Sequence, residues 1–319
     1  MLMTTEKNGS LLTAHLSALF VATVWGLTFI SSKVLLDQYT PLEICVYRHV
    51  LAVGGMFLLR PRLFSHGGGW RTELLFICAG VCGVSLYFLL ENTAMQYTYA
   101  SNVSLIVCTA PFFTGIAARL LLGEELYANF YIGFVIAITG IALISFNGAS
   151  NLGLNPLGDL LTTCAAISWA FYTTCTNKLF KKGYPLFLAT RRILFWGLVT
   201  AVMILPFQDA PVTLPHLTDM TTLANFAFLG ILASLGCFVI WNRALNILGP
   251  VRCTAYVYFS PVVTVLAAVI LIDEHLTPMS VSGMVLTLAG LLLSERHKTL
   301  FRRPGRSEKQ DRQLELQQQ

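Results

Sequence analysis

Residues 110–126 read APFFTGIAARLLLGEEL, and residues 260–276 read SPVVTVLAAVILIDEHL. The second stretch repeats the first at an interval of 150 residues: Pro111 aligns with Pro261, Thr114 with Thr264, Ala117 and Ala118 with Ala267 and Ala268, Glu124 with Glu274, and Leu126 with Leu276. Outward from this core the same shift, without a gap, pairs Phe88 with Phe238, Asn92 with Asn242, Ala94 with Ala244, Gly133 with Gly283, and Gly140 with Gly290. Chance does not align paired prolines, acids and glycines in this way, so the chain holds two copies of one structural unit. Further upstream the interval is 144, which matches Trp25 with Trp169, Pro41 with Pro185, and Arg48 with Arg192. The change of interval fits a longer break after the seventh apolar segment than after the second.

Composition says what each unit is made of. Of 319 residues, 55% are hydrophobic and 12% charged, against roughly 25% charged in an ordinary soluble domain. The apolar residues come in long runs, and 130–146 and 281–293 contain no charge at all. A helix needs about 20 such residues to cross a hydrocarbon core of about 30 Å. Ten segments qualify: 14–33, 42–60, 73–95, 101–123, 128–147, 156–179, 185–206, 222–248, 251–272 and 278–294. The alternating segments of a transmembrane barrel are absent, and helices satisfy their own backbone groups in lipid, so the spans are helical. The fold class is therefore all-α: a polytopic membrane protein with ten transmembrane helices. Each unit has five, an odd number, so the second enters the membrane upside down relative to the first, an inverted repeat. The expected organisation is a cytoplasmic segment 1–13, a first five-helix repeat 14–147, a second 156–295, and a basic, polar cytoplasmic tail 296–319. The first apolar run is long and has no convincing small-residue cleavage site, so it is expected to remain as a span.

Charge orients the bundle. The breaks after helices 2, 6 and 8 carry Arg60, Arg62 and Arg71; Lys178, Lys181 and Lys182; and Arg243 and Arg252. Positive loops stay inside, so these breaks and the tail, with Arg296, Lys298, Arg302, Arg303 and Arg306, are expected in the cytoplasm. The breaks after helices 3, 5 and 7 hold no Lys or Arg, and the longest, 207–221, holds Asp209, Asp219 and His216. Both termini then lie inside a cell membrane. The net charge of +5 sits mostly on that tail and shows no basic face interleaved with aromatics, which excludes nucleic acid as a partner. Eight cysteines lie mainly within the spans with no CxxC or Cys/His zinc spacing, so no metal or cofactor is implied and they read as small buried hydrophobes.

The sequence resembles the EamA family of the drug/metabolite transporter superfamily. The matching features are Val24-Trp25-Gly26-Leu27-Thr28-Phe29 with Lys33, the Pro41 to Arg48 opening of helix 2, and Ala110-Pro111 leading to Gly123-Glu124. Gly133 to Gly140 closes the first unit. Ser168-Trp169-Ala170, Ser260-Pro261, Asp273-Glu274 and Gly283 to Gly290 repeat the pattern. The resemblance covers all but roughly the first dozen residues and the tail. It implies a pseudo-symmetric ten-helix bundle whose central pathway opens alternately to the two sides, and a small-molecule solute and the lipid bilayer as partners, with the chain as monomer or homodimer. Small multidrug-resistance relatives carry their coupling carboxylate in the first helix, and helix 1 here has no acid.

Ionisable groups cost roughly 2.5–3.5 kcal/mol each at the centre of a bilayer and therefore line the bundle interior or a wet cavity. Arg48 and Glu91 lie deepest, about 10 Å below Pro41 and about 9 Å below Tyr97 at 1.5 Å per residue. They can pair with each other, as a salt bridge between helices 2 and 3, or contact solute. Glu124 and Glu274 read as caps of the helices that follow them. Trp25, Trp169, Trp241, Tyr172, Tyr256 and Tyr258 fall within spans, where an aromatic ring with a polar atom stacks on a ligand or packs between helices. Asn92, Asn102 and Asn242 are amides fit for solute contact or for interhelical hydrogen bonds. Pro111 and Pro261 interrupt helical hydrogen bonding and mark a hinge or a fixed kink. The glycines of helices 5 and 10 allow close packing.

No HExxH, GxSxG or Asp/His loop cluster supports a membrane enzyme acting on lipid-linked substrates, and the lack of a soluble domain disfavours a sensor or scaffold. The expected function is a secondary transporter exporting small organic metabolites, amino acids or related solutes, by alternating access. Its solute site is expected between the halves, flanked by Trp25 and Trp169 at mid-depth.

Overall fold

The computed structural model of the protein describes residues 2–61, 69–122, 128–147, 156–208, 212–213, 219–273 and 277–294. Glu124, Glu274, Arg62, Asp209, His216 and the basic tail lie outside the described residues. Among those described, the chain is helical throughout, with ten spans in sequence. They are α1 (Leu2–Leu35), α2 (Pro41–Leu59), α3 (Gly69–Tyr97), α4 (Ala100–Val107 and Ala110–Leu122), α5 (Ala128–Asn147), α6 (Pro156–Lys181), α7 (Leu186–Ile204), α8 (Met220–Leu248), α9 (Pro250–Leu271) and α10 (Pro278–Ser294). Seven, all but α5, α6 and α10, are long and apolar enough to cross a membrane by length and composition alone. Of the other three, α5 and α10 hold shorter apolar stretches, whereas α6 is rich in Thr and Ser. That composition follows from its place: Thr162, Ser168, Thr173, Thr174 and Thr176 are buried because α6 is wrapped by α3 and α4.

The packing obeys the repeat. Most helix pairs in close contact join one unit to the other: α1 packs on α8 and α9, α6 on α3 and α4, α2 on α7 and α8, α3 on α7, α4 on α9, and α5 on α10. Exchanging each helix for its counterpart five places on maps this set onto itself, as a two-fold axis requires. The two units are thus interleaved, and the core of the molecule is the boundary between them.

Local chemistry sets the element ends. Thr40 and Glu43 form a reciprocal capping box with Pro41 in the first turn of α2, which satisfies donors that helix initiation leaves open. Asp219 accepts from the backbone N–H groups of Thr221 and Thr222 and so starts α8. At the other end of α3, Lys33 of α1 donates to the carbonyls of Met95 and Thr98, a cation on the negative end of a helix dipole. Gly249, with φ of 80°, alone makes the turn between α8 and α9.

Four spans are irregular, and they are counterparts. α3 opens into a π-helix at Val81–Ser85 and α8 at Phe228–Gly236. The helix of α4 stops at Val107 and restarts at Ala110, and α9 tightens to a 3-10 helix over Ala255–Phe259 before restarting at Ser260. The kinks expected at Pro111 and Pro261 are therefore breaks lying just before each proline, which takes up an early position of the restarted helix, where a missing N–H costs nothing.

α5 and α10 meet backbone to backbone. A Cβ on Gly290 would lie 2.6 Å from both the nitrogen of Ala137 and the carbonyl oxygen of Gly133. Overpacking of this kind costs about 1–3 kcal/mol. Gly290→Ala is expected to lower the melting midpoint of the detergent-solubilised protein by several degrees. Gly54→Ala, where a Cβ meets nothing within 4 Å, is expected to leave it unchanged or raise it. Equal midpoints for Gly290→Ala and wild type would contradict the described crossing.

Candidate functional site

At the boundary of the two units lies a cavity of about 510 Å³, a volume that includes its part open to solvent. α1 contributes Trp25, Thr28 and Phe29, α2 Arg48, α3 Tyr87, Phe88 and Glu91, and α4 Ser104 and Val107. The second unit supplies Trp169 from α6, Phe238 from α8, and Val257 and Ser260 from α9. All four irregular spans reach it. A π-turn or a break withdraws backbone groups from the regular ladder, and such groups then serve neighbours. Trp25 Nε1 donates to the carbonyl of Ala233 in the π-segment of α8 at 3.1 Å, and Ser168 Oγ donates to the carbonyl of Cys82 in that of α3 at 2.8 Å.

The wall is aromatic. The repeat partners Trp25 and Trp169 meet edge to face with centroids 5.2 Å apart, the geometry that sets a ring's positive edge on a negative face. Phe238 touches both, at 5.8 and 6.1 Å, and Tyr87 packs on Trp169 at 5.1 Å. Trp241 lies behind this wall, 4.9 Å from Trp25 and 6.4 Å from Trp169.

Two opposite charges share the cavity without forming an ion pair. Arg48, 1% exposed, donates Nε to Ser234 Oγ at 3.0 Å and lays its guanidinium over Phe88 at 4.0 Å, while its Nη1 is buried with no hydrogen-bond partner. Glu91, also 1% exposed, stands one helical turn from Tyr87 on the same cavity wall, and its Oε2 is buried without a partner. Of the two alternatives read from the sequence, the direct salt bridge between helices 2 and 3 is not formed. The π-segment of α8 brings Ser234 to Arg48, and the two charges face a common space. An ion pair joins Glu73 of α3 to Arg192 of α7, and Trp196 Nε1 adds a hydrogen bond to the same carboxylate at 2.5 Å.

The remaining residues singled out from the sequence are placed elsewhere. Tyr172 donates its hydroxyl to Asn242 Oδ1 at 2.8 Å, and Asn242 donates to Thr190 Oγ1 at 3.0 Å, a chain that ties α6, α8 and α7. Asn92 donates to the carbonyl of Pro41 at 3.3 Å and Asn102 to Thr98 Oγ1 at 3.2 Å. The Tyr256 hydroxyl bonds His15 Nδ1 at 2.6 Å. Tyr258 is buried in α9. None of these lines the cavity. Cys45, Cys108, Cys237 and Cys253 are buried, whereas Cys78 is exposed on its helix face.

Aromatic pairs flank the cavity at both ends of the bundle. At the end of the α1–α2 and α7–α8 connections, Tyr39 and Phe226 meet edge to face at 5.2 Å, and Phe226 also touches Tyr47 at 5.6 Å. There Glu43 accepts from the backbone of Thr40 and of Thr213. At the opposite end Phe76, the repeat partner of Phe226, meets Tyr184 edge to face at 5.4 Å, beside Glu73 and Arg192. Sequence reading missed Tyr87, Phe88, Phe238, Glu43 and these flanking pairs. Tyr87 stands one helical turn from Glu91, so the same-face rule was the signal that could have found it.

The comparisons with known proteins follow this geometry. Residues 12–146 and 156–296 each match the sequence profile of the EamA-like transporter family. Among curated relatives, a probable amino-acid metabolite efflux pump of Escherichia coli is 28% identical, covering 87% of this chain and 93% of its own. A probable terminal-alkyne amino-acid exporter of Streptantibioticus cattleyicolor is 28% identical, covering 88% and 94%. An uncharacterised transporter of Archaeoglobus fulgidus is 26% identical, covering 86% and 96%. One solved crystal structure superimposes with a TM-score of 0.63 at 17% identity, over 88% of this chain and 96% of that one, a likeness of fold.

A carboxylate that is not held in a salt bridge can be neutralised cheaply, whereas breaking a buried pair costs about 3–5 kcal/mol. Glu91→Gln, which keeps the size of the side chain, is therefore expected to melt close to or above wild type in detergent. A drop of many degrees would show that Glu91 holds the fold through Arg48 after all.

Proposed function

Because the chain belongs to the EamA-like transporter family, we propose that this transporter exports small organic metabolites, amino acids or related solutes, by alternating access across the cell membrane, with its solute held in the cavity between the units. The observation that carries this reading is the cavity itself. Inverted-repeat transporters place their site where the two repeats meet, and here Trp25 and Trp169, partners under the repeat, form adjoining walls of one space. The relatives' names point the same way: they are transporters and efflux pumps, and two of them are named for amino-acid export.

The bundle supports alternation as well as binding. The Tyr39–Phe226 and Phe76–Tyr184 contacts join α8 and α3 to the starts of α2 and α7 at opposite ends. Parting one while keeping the other opens the cavity to one side. The π-segments and the breaks of α4 and α9 sit between these contacts, where a span can bend without losing a full turn of hydrogen bonds. By the positive-inside rule the basic loops support a cytoplasmic position for the Phe76–Tyr184 end and for both termini.

Reconstituted protein is expected to catalyse counterflow of labelled amino acid into liposomes preloaded with the unlabelled compound. Trp25→Phe and Trp169→Phe keep an aromatic ring and lose the larger indole with its N–H. They are expected to weaken exchange about tenfold or more at limiting solute while melting within a few degrees of wild type. Saturating solute should shield the wild-type indoles from a polar quencher. Unaltered exchange in both variants would return these tryptophans to a packing role.

Orientation has its own test: a reporter fused after Gln319 is expected to be active only in the cytoplasm, and an impermeant label from outside should reach a cysteine placed at Asp219. A reporter active outside would reverse the assignment of the two ends.

A further inference from the structure

We infer that the cavity selects its cargo by two opposite charges: the Arg48 guanidinium takes a carboxylate, the Glu91 carboxylate takes an ammonium, and the cargo is a zwitterion whose apolar side chain lies on the aromatic wall. This rests on the reading of the cavity as the solute site and adds to it the chemical class of the solute and the task of each charge.

The inference starts from what the two side chains leave unused. Arg48 spends Nε on Ser234 and one face on Phe88, and its Nη1 has no partner. Glu91 keeps Oε2 unpartnered. Both atoms are buried, and the two side chains, on different helices, line the same space. A buried donor or acceptor without a partner costs about 1–3 kcal/mol, and more for a charged group, so two of opposite sign are kept where a ligand, or water in its absence, meets both.

Charge balance narrows the ligand. A cation would pair with Glu91 and set a second positive charge beside Arg48. An anion would do the reverse. Either adds net charge to a low-dielectric space. A zwitterion adds none, and each of its groups finds a fixed counterion. The rest of the ligand meets the ring faces of Trp25, Trp169 and Phe238, which bury an apolar body. Nothing in the second unit duplicates the arrangement. Arg192, the repeat partner of Arg48 at the interval of 144, is occupied by Glu73, and the partner of Glu91 at the interval of 150 is Trp241.

Competition in proteoliposomes tests the inference. Counterflow of labelled leucine is challenged with leucine, with isopentylamine, which lacks the carboxylate, and with isocaproate, which lacks the ammonium. Wild type is expected to bind each singly charged analogue at least about tenfold more weakly than leucine, the loss of one charged hydrogen-bonding group. Arg48→Gln is expected to weaken leucine by about tenfold while leaving isopentylamine unchanged. Glu91→Gln is expected to do the same with isocaproate as the unaffected ligand. A structural role for either residue would weaken all ligands together. Wild type that accepts amine or acid as well as leucine, or variants that lose all three equally, would overturn the proposal. The wild-type ranking decides even if a neutral variant does not fold, and Arg48→Lys and Glu91→Asp, which keep each charge, are expected to preserve it. Exchange of a singly charged or uncharged solute with none of leucine would sink this inference and leave the transporter reading standing, whereas exchange of no solute would sink that reading itself.

Discussion

Two helices in lipid gain nothing from hiding apolar surface, because the solvent is as apolar as they are, and the packing of this protein depends on that constraint. What holds its spans together has to come from close backbone approach and from polar groups inside. The α5–α10 crossing uses the first, with Gly133, Gly140 and Gly290 letting main chains touch. The interior uses the second: Ser260 and Thr264 of α9 donate to the carbonyls of Ala22 and Gly26 in α1, and Tyr172, Asn242 and Thr190 tie three helices. These contacts mostly cross from one unit to the other. A bundle whose cohesion lies at the boundary between its halves can shift one half against the other and keep each intact.

The scaffold is symmetric and its centre is not. Helix pairs, π-segments, breaks and flanking aromatic contacts all come in partners, yet at the cavity the partners diverge. Arg48 faces an open space where Arg192 is held in an ion pair. Trp25 has its N–H satisfied by Ala233, while that of Trp169 is buried without a partner. A duplicated unit supplies two equivalent pathways to the two sides. A single solute needs one set of contacts, and that set can arise only where the copies have been released from resembling each other.

Much of the fold was legible in the sequence because its signals are long. An apolar run of about 20 residues or a repeat of 150 survives any local ambiguity, and the opening at Pro41 marked the start of α2 within a residue. The candidate site was legible only in part. Trp25, Trp169, Arg48 and Glu91 stood out by rarity at depth, and the structure gathers them around one cavity. Asn92, Asn102, Asn242 and Tyr172 stood out by the same rule, but a buried polar side chain that finds a neighbouring carbonyl or amide holds helices together, and depth does not reveal who the neighbour is. The π-segments left no trace in hydropathy, since Val81–Ser85 and Phe228–Gly236 are as apolar as their surroundings. With them was lost the approach of Ser234 to Arg48, which a straight α8 does not indicate.

The central claim is that one cavity is exposed in turn by the parting of the Tyr39–Phe226 and Phe76–Tyr184 ends. The most direct measurement is electron–electron double resonance on liposome-embedded protein, with one spin-label pair spanning α2 and α8 at the first end and another spanning α3 and α7 at the second. The account predicts two distance populations at each end, with added amino acid shifting them in opposite senses, so that one end lengthens as the other shortens. Distances that stay fixed, or that lengthen together at both ends, would contradict it.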